Sequence, residues 1–201
     1  SVVSGYATDW LSIVLTAYFA SPEAAGTLRV AVQTMLFTSL VITSFDAILG
    51  PQIAASWKMG EKQRIAALMR KTILGCVAAG SPFFIIALGW PEFVMGLFGP
   101  EFVAGARALQ FIAIGSLIAL SGGPVGSLLI MSGHERWSII SALTGLLLLV
   151  VLLVWLVPLY GVTGAGMAVA GTQIFRRVFG SLIVRYVVGI NLLARPNQSR
   201  P

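Results

Sequence analysis

Residues 137–157 read WSIISALTGLLLLVVLLVWLV and contain no charged side chain. A continuously apolar run of about 20 residues is long enough to cross the hydrocarbon core of a bilayer as an α-helix. A transmembrane β-strand would instead alternate apolar and polar residues over about ten positions. The stretch therefore predicts a membrane-spanning helix.

Five further apolar stretches fill most of the remaining chain. The mean hydropathy is +0.92, and 57% hydrophobic against 10% charged residues is too apolar a composition for a soluble domain. We expect an all-α integral membrane protein, with a bundle of six transmembrane helices over residues 1–193 and a polar cytoplasmic tail over 194–201. The predicted spans cover residues 1–20, 25–53, 70–90, 104–131, 137–157 and 162–190.

The gaps between the predicted spans alternate in charge. The gaps over 21–27, 91–103 and 158–164 contain no Lys or Arg, whereas most of the 13 basic residues lie in the other gaps, near the end of the last span or in the tail. Lys and Arg near short loops stay in the cytoplasm, so both termini are predicted to be cytoplasmic. The basic residues at span ends fit anionic lipid headgroups, and we expect no nucleic-acid partner.

No catalytic pattern accompanies the spans. The chain has one His and one Cys, and it lacks a Gly-x-Ser-x-Gly motif, a carboxylate pair at helical spacing and a cluster of metal ligands. We therefore expect no enzyme activity, no cofactor and no metal site. The chain opens almost directly into an apolar helix, and we expect it to be part of a longer protein.

Asp9 is the residue of the first span that is most unfavourable in lipid. It lies roughly 16 Å from the outer end of that span, near the bilayer midplane. A central Asp costs about 2.5–3.5 kcal/mol on insertion, so it should face the bundle interior or water. Ser12 and Thr16 share its helix face, and this polar stripe predicts the wall of a cavity. Our hypothesis is that Asp9 lines this cavity and takes up and releases a proton there. The alternative is a buried Asp that is hydrogen-bonded to neighbouring helices.

A second polar stripe follows the second span. Arg29 lies near its outer end and Asp46 near its inner end, about 26 Å apart, so these two cannot pair. The stripe predicts one wall of a hydrophilic cleft. The alternative is a pair of interfacial anchors, with Asp46 attracted to Lys58 or Lys62. The members of the stripe lie within about 160° of arc and are Arg29, Gln33, Ser39, Thr43, Ser44 and Asp46.

Three features of the later spans concern helix packing and the binding of a transported substrate. Arg176 and Arg177 could bind a phosphate or carboxylate in a cavity, or snorkel to the headgroups. The small residues over 161–171 predict a face for close helix packing. The sequence Gly122-Gly123-Pro124 predicts a helix break that exposes backbone groups to a substrate, with a packed proline kink as the alternative.

Four motifs, in order along the chain, resemble a known transporter family. They are similar to motifs in the C-terminal half of the O-antigen and polysaccharide flippase branch of the multidrug/oligosaccharidyl-lipid/polysaccharide superfamily. Leu28 and Gly166 depart from that pattern, which commonly has Tyr and Ala there. The motifs are SPEAAG at 21–26, PQIA at 51–54 with the basic connector after it, FGPEF at 98–102 and LVPLYGVTGA at 156–165.

The resemblance implies the transport of a polyprenyl-diphosphate-linked oligosaccharide across the bacterial inner membrane, through a polar cleft between two six-helix halves. It makes Arg29, Arg176 and Arg177 candidates to bind the diphosphate or acidic sugars, and Asp9 the candidate for proton coupling. Membrane lipids and polysaccharide polymerase or assembly proteins are the expected partners. The competing functions are a drug or cation antiporter of the same superfamily and a non-transporting component of a polysaccharide assembly complex. A glycan polymerase or ligase would need a large outside loop, and the outer gaps are short.

Overall fold

The computed structural model describes residues 2–59, 62–120, 135–184 and 186. Within these ranges the chain is helical apart from short turns and contains no β-strand, which confirms the all-α prediction for this part of the chain. The helices are α1 (Val2–Phe19), α2 (Pro22–Thr34), α3 (Leu36–Lys58), α4 (Lys62–Gly89), α5 (Pro91–Gly96), a 3-10 helix (Pro100–Gly105), α6 (Ala106–Leu120) and α7 (Glu135–Ile183).

Four of the described segments are long and apolar enough to cross a membrane, which indicates a multi-pass membrane protein. α1 occupies the first predicted span but is not one of the four, and residues 121–131 of the fourth predicted span lie outside the described residues. The count of six spans therefore stays a prediction. The four segments are Pro22–Phe45, Gln63–Gly89, Pro100–Leu120 and Arg136–Ile183.

The longest of these segments reverses direction at Gly161. Gly161 has φ 56° and ψ −132°. This backbone conformation lies outside the helical region, and glycine can adopt it because it has no Cβ. A Cβ added to Gly164 would overlap the carbonyl oxygen of Leu156. Eight residues of straight helix would separate these two by about 12 Å, so the chain must turn back between them.

α7 is therefore a hairpin with two antiparallel arms, 135–160 and 162–183. Gly145 and Arg176 lie at matching distances before and after the turn, and they are in contact: a Cβ on Gly145 would lie 2.6 Å from Cδ of Arg176. Each arm contains at least the roughly 20 residues that one membrane crossing requires. The arms overlap the predicted spans at 137–157 and 162–190.

α6 packs closely and in parallel against the 162–183 arm. A Cβ on Gly166 would lie 2.7 Å from the α-carbon of Ala108, and a Cβ on Gly115 would lie 2.7 Å from the α-carbon of Ala170. Glycine at these positions lets the two backbones approach closely where lipid provides little drive for helix association. The close-packing face predicted from the small residues of the last span is confirmed here.

One end of the bundle contains the end of α4 and the starts of α2 and α6, and we call it the outer end after the predicted orientation. The Gln110 side-chain amide of α6 donates to the Leu88 carbonyl of α4 at 3.1 Å. At the start of α6, Gly105 abuts the side chains of Thr27 in α2 and Met95 in α5. The end of α1 adjoins this group through the short turn before α2.

The second predicted span is divided at Met35. The N–H of Met35 donates to Val32 and the N–H of Thr38 donates to Met35, each at 3.0 Å and each to a carbonyl three residues back. Such bonds tighten the helix locally to a 3-10 pattern and turn the faces on either side relative to each other. The polar stripe predicted along 25–53 is therefore shared between α2 and α3.

Candidate functional site

A cleft of about 200 Å³ opens among the helices of the bundle. Its walls come from α1, the α2–α3 junction, α6 and the 162–183 arm. Much of the lining is apolar, from residues such as Met35, Ile112 and Val169. The polar residues that line it are Asp9, Thr38, Ser39, Ser116 and Gln173.

The cleft lies about halfway along the helices that form it. Measured from the outer end of each helix, Asp9, Ser116 and Gln173 lie at similar depths of roughly 15–17 Å. The hydrocarbon core of a bilayer is about 30 Å thick, so its middle is about 15 Å from either edge. Three different elements thus place polar groups at the depth where lipid tolerates them least.

Asp9 contributes a half-buried carboxylate to this cleft. Within the described parts of the chain, that carboxylate has no hydrogen-bond or ion-pair partner; Ser12 Oγ donates instead to the Asp9 backbone carbonyl at 2.7 Å. Hydrogen bonds from neighbouring helices, the alternative considered for Asp9, are not found among these residues. The carboxylate is available to a proton, a cation or water.

Ser12 and Thr16 are not among the residues that line this cleft. Both are fully buried, and Thr16 Oγ1 donates to the Ser12 carbonyl at 2.6 Å. A hydroxyl that bonds to the preceding helical turn is satisfied within its own helix and can face a packed neighbour. Of the predicted wall of α1, only Asp9 reaches the cleft.

Thr38 has the buried polar atom of the cleft that most needs a partner. Its side chain is only 7% exposed, and Oγ1 has no hydrogen-bond partner in the described part of the molecule. Thr34 and Thr43 each donate to the carbonyl four residues back at 2.8 Å, but Thr38, directly after the tightened turn, does not. A buried hydroxyl without a partner costs about 1–3 kcal/mol, so water or a polar ligand in the cleft would be stabilised there.

Ser116 and Gln173 form a polar contact across the cleft wall. Ser116 Oγ donates to Gln173 Oε1 at 3.1 Å, which joins α6 to the 162–183 arm. A Cβ on Gly115 would lie 2.9 Å from the same Oε1 atom, so glycine makes room for the amide. Sequence reasoning missed both residues, although a single Gln within an otherwise apolar stretch is a signal that could have found Gln173.

Replacing Ser116 by Ala should lower the free energy of unfolding by about 1 kcal/mol, because the hydrogen bond to Gln173 is lost. The check is a double-mutant cycle with Gln173→Met, measured by denaturant titration of the purified protein in detergent. We expect a coupling energy of about 0.5–1.5 kcal/mol between the two sites. Strictly additive effects would mean that the contact contributes nothing.

The remaining predicted site residues of α2 and α3 are spread along these helices. Ser39 lines the cleft, whereas Arg29, Gln33 and Thr43 are exposed outside it. The side chain of Asp46 lies outside the described residues, although α3 runs through its position. The predicted continuous wall thus meets the cleft only where the helix is tightened.

Arg176 and Arg177 are half-buried, and neither is among the residues that line the cleft. The methylene groups of Arg176 pack over Gly145 of the facing arm. The predicted helix break at Gly122, Gly123 and Pro124 lies outside the described residues. Among the lining residues that the structure describes, Asp9 alone is charged, so the cleft attracts a proton or cation and repels an anion.

No protein-family model matches the chain, and the searches of curated proteins and of solved structures returned no match either. The four sequence motifs therefore carry the resemblance to polysaccharide flippases without support from these comparisons.

Proposed function

We propose that this chain is one helical bundle of a bacterial inner-membrane transporter and that Asp9 binds and releases the coupling proton. The observation that carries the proposal is the Asp9 carboxylate, without a partner in the described part of the chain, in a polar cleft at mid-membrane depth. Ionisable groups are expensive at that depth, and those that occur there usually lie on ion or proton pathways.

A second bundle would complete the transport path beside α2 and α3. Arg29 and Gln33 are exposed although both lie in the candidate span Pro22–Phe45. Polar side chains at membrane depth usually face protein or a water-filled cavity rather than lipid. This exposed polar surface supports the two-half architecture that the family resemblance implies, in which each half has six helices.

The proposed substrate is a lipid-linked oligosaccharide, and it rests on the family resemblance. The cleft of about 200 Å³ is smaller than the roughly 300–1,000 Å³ of pockets for drug-sized ligands. We therefore assign the glycan to the path between the two bundles and the cleft to the coupling ion. Arg29, on the exposed polar surface, is the candidate to contact the diphosphate, with Arg176 and Arg177 closer to the inner side.

A cation antiporter is the second candidate function. The observation in its favour is that the only charged residue among the described lining residues is acidic, which suits a cationic substrate as well as a coupling proton. The two functions share the same fold and the same role for a titrating carboxylate. They differ in what crosses the membrane.

Complementation separates these candidates. The complete gene that contains the coding sequence of this chain is expressed in a bacterium that lacks its O-antigen flippase. Surface polysaccharide is then measured. We expect restored polysaccharide and unchanged resistance to cationic dyes. Increased dye resistance without polysaccharide would favour the antiporter, and neither change would reject both transport functions.

The proposed orientation makes a separate prediction. The positions after Gly60, after Ser132 and at Pro201 should be cytoplasmic, because the basic gaps stay in the cytoplasm. The positions near Glu23, Phe98 and Gly161 should be outside. The check is labelling of single cysteines at these positions with an impermeant reagent in intact cells. Labelling at residue 60 from outside would contradict the orientation.

A further inference from the structure

A set of large apolar side chains projects from the outer end of the bundle. They belong to residues 90–105, which comprise α5 and the 3-10 helix and which we call the outer shelf. The side chains are 52–70% exposed and are Trp90, Phe93, Leu97 and Phe98. Such a surface is unfavourable in water and needs a partner.

The shelf is a folded element, because its opposite side is anchored in the bundle. Val94 and Met95 are buried, and Met95 packs beside Gly105 together with Thr27 of α2. The connection between α5 and the 3-10 helix passes through Gly99, whose φ of 142° favours glycine. The packing therefore holds the apolar residues outward.

Exposed aromatic rings occur at the same end on other elements of the bundle. Tyr18 lies at the end of α1 and Tyr160 lies at the hairpin turn of α7, and both are exposed. Together with the shelf, they are distributed over three separate parts of the outer end. A distribution of this kind resembles the aromatic belt at a membrane–water interface more than a single patch for a protein partner.

The charged residues of the outer shelf indicate which lipid headgroups it can contact. Its charged residues are Glu92 and Glu101, both exposed, and it contains no Lys or Arg. Arg107, exposed at the start of α6, offsets one of these two charges. The remaining negative charge repels anionic headgroups but not zwitterionic ones. The shelf directly follows the candidate span Gln63–Gly89, and its 3-10 helix is the first part of the candidate span Pro100–Leu120, so its apolar face continues the surface of segments that are themselves in lipid.

We propose that the outer shelf lies in the boundary between headgroups and acyl chains of a zwitterionic phospholipid leaflet. Trp90, Phe93, Leu97 and Phe98 enter the lipid and fix the depth of α4 and α6. This proposal depends on membrane insertion and holds for a flippase and for an antiporter alike.

Depth-dependent fluorescence quenching tests the proposal. The chain has five Trp residues, and replacing Trp10, Trp57, Trp137 and Trp155 by Phe leaves Trp90 as the reporter. The full chain is reconstituted in phosphatidylcholine vesicles whose lipids carry bromine near the headgroup or near the chain ends. We expect about twofold stronger quenching by the shallow bromines and little quenching by aqueous acrylamide. Strong acrylamide quenching without bromine quenching would overturn the proposal and point to a water-facing protein interface.

A second reporter keeps the test decisive if the four Trp replacements prevent folding. Phe93→Cys in a Cys76→Ser background carries a polarity-sensitive fluorophore, with Glu23→Cys as the water-exposed control at the same end. We expect blue-shifted emission at position 93 relative to position 23 in phosphatidylcholine vesicles. Equal, water-like emission at both positions would contradict the proposed lipid contact.

Discussion

Replacing Asp9 by Asn should stop transport while the protein accumulates in the membrane at its normal level. Asparagine keeps the size and hydrogen-bonding capacity of the side chain but cannot titrate. No described residue pairs with the carboxylate, so the substitution breaks no ion pair within that part of the chain, and removing a charge at mid-membrane depth favours insertion. We expect polysaccharide export to fall by about a hundredfold or more, the lower end of what a positioned proton-transfer group contributes to a rate.

Glu23→Gln is the matched control for that experiment. Glu23 is exposed in the first turn of α2 at the outer end, so the same change of charge should leave export unchanged. Export is measured as surface polysaccharide in the flippase-deficient cell, and protein level by immunoblot of the membrane fraction. Wild-type export by Asp9→Asn would show that its charge has no required role.

Replacing Gly166 by Ala should destabilise the bundle by about 1–3 kcal/mol or more, the cost of overpacking a tight interior contact. The new Cβ would lie 2.7 Å from the α-carbon and 2.8 Å from the carbonyl oxygen of Ala108. These are backbone atoms, so rotation of a side chain cannot relieve the overlap, and α6 must move away from the 162–183 arm. Gly115→Ala should have a similar effect, because Ala170 opposes it in the same way.

Gly26→Ala is the control, because a Cβ at Gly26 meets no atom within 4 Å. It should be neutral or stabilise α2 by up to about 1 kcal/mol through helix propensity. Denaturant titration in mixed micelles measures all three variants. If Gly166→Ala is no more destabilising than Gly26→Ala, the two backbones are not in the close contact described.

The sequence predicted those features that depend on hydrophobicity and on strong helix breakers. The apolar run at 137–157 and the Pro158–Gly161 break are sufficient to predict two arms with a turn between them, because nothing else satisfies the backbone in lipid. Asp9 was predicted to face a cavity, and it lines the cleft, because its insertion cost leaves few other environments.

The sequence did not predict which hydroxyl groups would reach the cleft. Ser12 and Thr16 have the same helical spacing as a cavity wall, yet they bond to their own helix, an option that Ser and Thr always have. The tightened turn at Met35 could not be predicted, because residues 27–49 contain neither Gly nor Pro, the residues that usually mark a break in a helix. The Ser116–Gln173 contact depends on the parallel packing of α6 and the hairpin arm, and periodicity within one helix carries no information on that.

The central claim is a water-accessible polar cleft at the middle of the membrane, and cysteine accessibility tests it most directly. In a Cys76→Ser background, Ser39→Cys places a thiol on the cleft lining. Val151→Cys places one on the exposed apolar surface of the 135–160 arm, roughly 15 Å from the hairpin turn. A charged, water-soluble thiol reagent is applied to both sides of membranes that contain the protein. We predict that position 39 reacts and position 151 does not, while both react in detergent. Equal protection of both positions in the membrane, with reaction of both in detergent, would contradict the cleft.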